Sequence, residues 1–155
     1  MSPDKSVWWV CGIGGEIVEI SAGDLRTRKL VMDMSEHPDL KLSKEEGLLN
    51  FAFGPSFHSN SRFYVSFTVK GGAGGHNRLS RFDYDYGSAA ATLASEEILL
   101  ESTERTSTVH TAGWLGFKPS SYYSSALSHD LYWGQGDSGN QEDPDNHGQN
   151  AMDMH

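Results

Sequence analysis

The sequence predicts an all-β chain of short antiparallel strands, and three observations carry that reading. Apolar runs are short and often alternate with polar residues, turn-forming residues recur between them, and one strand–turn–strand pattern occurs twice. The clearest alternation is Arg62-Phe63-Tyr64-Val65-Ser66-Phe67-Thr68-Val69. Successive strand side chains point to opposite faces, so Phe63, Val65, Phe67 and Val69 share one side. A hydrophobic content of 37% over 155 residues is enough for a packed core, which sets aside a disordered chain. The 17 glycines favour many turns over long helices.

In chain order, the first strand is predicted at Ser6–Val10, on Val7-Trp8-Trp9-Val10. The second, Gly15–Ile20, alternates less cleanly around Ile17 and Ile20. The third is Arg28–Met32, beyond the Gly23-Asp24 turn. Gly47–Phe53 is the fourth, stopped by Gly54-Pro55, and Arg62–Val69 the fifth. Gly71-Gly72-Ala73-Gly74-Gly75 is a flexible connection rather than an element. Strands follow at Asn77–Asp85, Glu96–Leu100, Gly113–Phe117 and Leu131–Trp133. Alanines within Ser88–Leu99 predict a helical turn or two before the Glu96–Leu100 strand.

The repeated pattern sets the architecture. Gly47-Leu48-Leu49-Asn50-Phe51, Pro55-Ser56 and Phe63-Tyr64-Val65 are echoed by Gly113-Trp114-Leu115-Gly116-Phe117, Pro119-Ser120 and Leu131-Tyr132-Trp133. A unit of several short strands repeated in this way predicts β-propeller blades, each of about four strands. Nine strands make about two blades and part of a third. Residues 1–155 are therefore expected to form a partial propeller domain, truncated at its C-terminal end, with the remaining blades supplied by the same polypeptide.

Charge narrows the partners. Twelve Lys and Arg against 21 Asp and Glu give a net charge of −9, which disfavours nucleic acid and anionic membrane surfaces. No run is long enough for a membrane span, so membrane insertion is not expected. Met-Ser-Pro-Asp-Lys lacks the charged-then-apolar pattern of a signal peptide. Cys11 is the one cysteine, so the chain has no internal disulfide framework, and its apolar surroundings predict a small buried residue.

Candidate chemistry concentrates in residues 110–149. His110 stands just ahead of an apolar run, and Leu131-Tyr132-Trp133 empties into a loop rich in Gly, Asp and Asn. Strand ends deliver side chains to polar sites in this way. After Lys118 no Lys or Arg occurs, and the acidic tail reads either as a solvated loop or as a cation site. Asp143-Pro144-Asp145-Asn146-His147-Gly148 begins like an EF-hand loop but carries His147 at the fifth position and Met154 at the twelfth. That leaves a looser calcium site drawing on Asp137, Asp143 or Asp145. Gly136-Asp137-Ser138-Gly139 is followed by Asn140, and the chain has no disulfides, so a trypsin-like nucleophile is rejected. A tight turn, with Asp137 capping backbone donors, is expected instead. Gly12-Ile13-Gly14-Gly15 lacks the third glycine of a dinucleotide fingerprint, and Gly71–Gly75 is not followed by Lys-Ser/Thr.

Residues 110–149, together with Glu45-Glu46-Gly47-Leu48-Leu49-Asn50-Phe51-Ala52-Phe53, resemble the glucose/sorbosone dehydrogenase family. The resemblance implies a six-bladed quinoprotein-like propeller and one of two functions. One is oxidation of a sugar or polyol dependent on pyrroloquinoline quinone (PQQ) and calcium. The other is a non-catalytic extracellular binding propeller of the hedgehog-interacting-protein-like type. In the first case His110 is implied as the base that takes the substrate hydroxyl proton, and Glu45 as part of the cofactor pocket. An extracellular or periplasmic location is also implied. The chain departs from the family pattern at Ala112, Asn50 and Gly54, where the family has Gly, Gly and His. At Ala112 the added methyl either crowds a cofactor or is harmless, depending on which face it occupies.

Overall fold

The structure is a computed structural model that describes residues 6–72, 75–103, 105, 107–118, 130–137 and 139. Among the described residues it contains three successive antiparallel sheets. The first comprises β1 (Val7–Cys11), β2 (Glu16–Ser21) and β3 (Arg28–Asp33). The second comprises β4 (Leu48–Phe53), β5 (Arg62–Val69), β6 (His76–Asp83) and β7 (Glu97–Glu101); β8 (Leu115–Phe117) and β9 (Leu131–Trp133) form the third. Within each sheet, strands follow in chain order, the up-and-down meander of a propeller blade. The nine strands expected from the sequence are all present, with ends displaced by a residue or two.

The two halves of the sequence repeat become equivalent pairs, β4 with β5 and β8 with β9, in adjacent sheets. The irregular alternation of the second strand has a local cause, a register shift between Ile17 and Val18 that inserts a bulge. Among the described residues, two short helices join the strands. Helix α1 (Phe57–Asn60), which the strand-based reading passes over, ends at Ser61 in the left-handed region at φ 57°. Helix α2 (Ala89–Ala94) is the expected alanine turn, with the Ser88 hydroxyl capping it by accepting from the Ala91 N–H.

Strand β5 shows why the sheets stack. Its odd face, Phe63, Val65, Phe67 and Val69, is buried, as the alternation predicts. This face joins Trp9, Ile17, Val31 and Met32 from the first sheet in one core. Its even face is covered as well: the Trp133 indole N–H donates to Ser66 Oγ at 2.8 Å, and the Tyr64 ring meets Phe117 at 5.1 Å. A strand with apolar packing on one side and polar packing on the other lies between two blades. At the start of β4, Gly47 takes φ 149°, and a Cβ there would collide with the Ile13 carbonyl. That carbonyl accepts from the Leu48 N–H at 3.0 Å, so glycine lets the second sheet dock against the β1–β2 turn.

Strand β6 carries a half-exposed ion network at its open end. Arg78 donates to Glu101 at 2.6 Å and to Asp39 at 3.0 Å, while His76 lies 3.2 Å from Glu101. Burial alone would raise the Glu101 pKa, but the bonds and charges of Arg78 and His76 outweigh it and hold the carboxyl below its ordinary 4.5. A depressed folded-state pKa contributes stability above the unfolded value, and that contribution fades as pH falls through the folded one. Glu101→Gln is therefore expected to lower Tm by a constant amount above about pH 5. The gap to the unsubstituted protein should narrow as pH drops further. A gap independent of pH between 7 and about 3 would contradict this assignment.

Candidate active site

Three segments meet at one edge of the sheets. The turn at residues 45–46 leads into β4, the loop at 107–114 leads into β8, and residues 134–137 leave β9. Backbone bonds from Gly113 N–H to Gly134 O (3.2 Å) and from Gly134 N–H to Trp114 O (2.8 Å) continue the β8–β9 ladder and hold the last two side by side. The first is joined to them by Asn50, whose amide donates to the Gly113 carbonyl at 3.0 Å. Asn50, a departure from the family pattern, is thus a cross-blade tie.

His110 lies at the centre of this arrangement. Its φ of 51° falls in the left-handed region, uncommon for a residue with a side chain. Its N–H donates to Glu45 Oε2 at 2.8 Å, and the next residue's hydroxyl, Thr111 Oγ1, donates to the Glu45 carbonyl at 2.8 Å. The ring's Nδ1 lies 2.8 Å from Asp137 Oδ1, with the His110 side chain about half exposed at 55%. Asp137 is held below its ordinary range first by the Gly139 N–H, 3.0 Å from the same oxygen, and then by His110. An ionised carboxylate only accepts hydrogen bonds, so Nδ1 must carry the proton in this pair. With that proton on Nδ1, the ring's other nitrogen is Nε2, which has no hydrogen-bond partner among the described residues. Such an imidazole is oriented by one nitrogen and available as a base at the other.

Asp137 accepts from the Gly139 N–H, the capping expected of it, and Gly139 takes φ 66°. A Cβ at Gly136 would strike the carbonyls of His110 and Thr111, so glycine there brings the Asp137 segment against the His110 loop. Asp137, expected as a cation ligand, has one oxygen engaged by His110 and Gly139. Asp143 and Asp145 lie outside the described residues, and no cluster of three metal-ligating side chains occurs among those described. Glu45 lies beside His110, with one carboxylate oxygen on the His110 backbone N–H. Ala112 is buried at 4%, so its methyl lies inside the fold rather than on the open face beside His110.

Comparison with known proteins follows the same line. The Glucose / Sorbosone dehydrogenase family model matches residues 3–154. The chain belongs to that family. Structural comparison finds a similar fold in a solved structure. The PQQ-bound form of aldose sugar dehydrogenase from Streptomyces coelicolor superposes with a TM-score of 0.68 at 22% identity. The match covers 87% of this chain and 39% of that one, so the chain spans about two-fifths of the length of the enzyme it resembles. No curated protein matches it.

The residues around His110 fit one end of a PQQ site. An imidazole oriented by a carboxylate suits the reacting end. Groups that hold the cofactor's carboxylates are not apparent among the described residues here, since Glu45 and Asp137 are acidic and the nearby cations Lys41 and Arg105 lie against Glu46.

Two residues beneath the site escaped the sequence reading. Glu46 is fully buried, 3.1 Å from Lys41 Nζ, and Arg105 is nearly so. Glu46 has the same charge as exposed Glu45 beside it, and nothing in the local pattern separates them. The backbone bend ahead of Gly47 turns one inward and leaves the other outside.

Proposed function

We propose that this chain supplies the proton-accepting part of a PQQ-dependent sugar or polyol dehydrogenase. The observation that carries the reading is the 2.8 Å pair of His110 Nδ1 and Asp137 Oδ1, with the opposite ring nitrogen unpartnered among the described residues. Bound PQQ would accept the hydride. His110 Nε2 takes the hydroxyl proton, Asp137 fixes the tautomer and offsets the positive charge that grows on the ring, and Glu45 anchors the backbone of the base. Calcium belongs to the proposal by family resemblance, with Asp137, Asp143 and Asp145 as its candidate ligands in this chain.

The test uses the full-length protein. Loading with PQQ and calcium is expected to give dye-linked oxidation of aldoses or polyols, and chelation should reduce it reversibly. Failure to bind PQQ at micromolar concentration would reject the dehydrogenase and move the chain to the binding-propeller side of its family.

A further inference from the structure

All three segments that build the site converge on one buried arginine. Arg105 is 4% exposed. Its Nη2 donates to the carbonyls of Ser107 (2.6 Å) and Val109 (3.4 Å), the peptide units just ahead of His110. Its Nη1 lies 3.3 Å from Asn77 Oδ1, and the Asn77 amide donates to Gln135 Oε1 at 2.8 Å, two residues before Asp137. Nη1 also lies 3.8 Å from Glu46 Oε1, next in sequence to the residue that binds the His110 N–H. The base, its carboxylate partner and its backbone anchor thus share one support.

We infer that Arg105 is the positioning residue that fixes His110 and Asp137 relative to each other. This rests on the reading of His110 as a base. The simpler role, neutralising buried Glu46, accounts for less of the geometry. Lys41 Nζ is closer to Glu46 Oε1, at 3.1 Å, and already supplies a cation. Burial pulls the guanidinium's pKa down, with the charges of Glu46 and Glu45 opposing. The shortest Arg105 bond goes to the His110 loop. A left-handed backbone at a non-glycine residue persists where its surroundings over-determine it, and the two bonds from Nη2 to the 107 and 109 carbonyls do this.

Arg105→Lys separates the two roles, because lysine keeps the charge beside Glu46 but has one nitrogen where arginine uses Nη2 on the Ser107 and Val109 carbonyls and Nη1 on Asn77. Amide hydrogen exchange in the full-length protein is read at His110 and at Val65 and Phe67 in β5, alongside kcat and KM of the PQQ-loaded enzyme. His110 exchange is expected to rise about tenfold, the equivalent of losing one or two hydrogen bonds, with β5 unchanged. Turnover should fall by a similar factor with KM unchanged. Wild-type exchange and kcat in this variant would overturn the proposal. Should β5 exchange also rise, the neutral pair Glu46→Gln/Arg105→Met decides. Faster exchange confined to His110 then supports positioning, while wild-type exchange or renewed loss of β5 protection makes Arg105 a residue of the fold alone. An unsubstituted protein that oxidises no sugar would defeat the dehydrogenase reading, and the exchange result would still decide whether Arg105 organises this loop.

Discussion

His110→Ala in the full-length, PQQ-loaded protein is expected to lower kcat by about a hundredfold or more, the usual contribution of a positioned base. Cofactor affinity should change far less. The ring acts on a proton in flight, while its ties to Glu45 run through the backbone and survive the substitution. Asp137 supplies a sharper version of the test. Asp137→Ala frees the imidazole to adopt either tautomer, so Nε2 remains a base part of the time. Asp137→Asn is expected to be worse, because an amide can donate to Nδ1 and so place the ring proton on Nε2, where it blocks proton uptake. The predicted order of kcat is wild type, then Asp137→Ala, then Asp137→Asn. Steady-state rates at saturating sugar check it. Equal rates for the two Asp137 variants would remove tautomer control from the mechanism, and an unchanged His110→Ala rate would remove the base.

The fold was largely legible because strand periodicity is written into consecutive residues. Phe63, Val65, Phe67 and Val69 declare a buried face without reference to anything distant. The site was legible in its parts and not in its assembly. His110 and Asp137 both stand out as polar residues at strand ends, but they are 27 positions apart, and their hydrogen bond depends on β8 pairing with β9 in one register. Read alone, an aspartate in an acidic, glycine-rich loop suggests a cation; placed beside an imidazole, it orients a base. Arg105 was invisible for a related reason. A single arginine outside any apolar pattern gives no sign of burial, and its partners Asn77, Ser107, Val109 and Glu46 come together only in the fold. Helix α1 is too short for a period to show.

The largest expected effect on stability comes from Trp9→Ala. Trp9 is 5% exposed, and its ring lies within about 6 Å of five others: Phe51, Phe53, Phe57, Phe63 and Tyr84, at 5.9, 4.8, 5.5, 5.2 and 5.0 Å. These partners come from β4, α1, β5 and the segment after β6, so one side chain from the first sheet joins four parts of the chain. Its indole N–H donates to Glu19 at 2.9 Å, which satisfies the polar atom that burial would otherwise strand. Truncating a buried Trp to Ala costs roughly 3–5 kcal/mol, through lost transfer energy and the cavity left behind. Against a typical net stability of about 5–15 kcal/mol, that is a large share. The neighbouring Trp8 is the control. It is 43% exposed because strand alternation turns it to the opposite face of β1, so Trp8→Ala should cost a fraction of the Trp9 value. Denaturant unfolding of both variants measures the difference as a shift in midpoint at constant slope. Equal losses at the two positions would mean that β1 is held by its hydrogen bonds to β2 and not by the aromatic cluster.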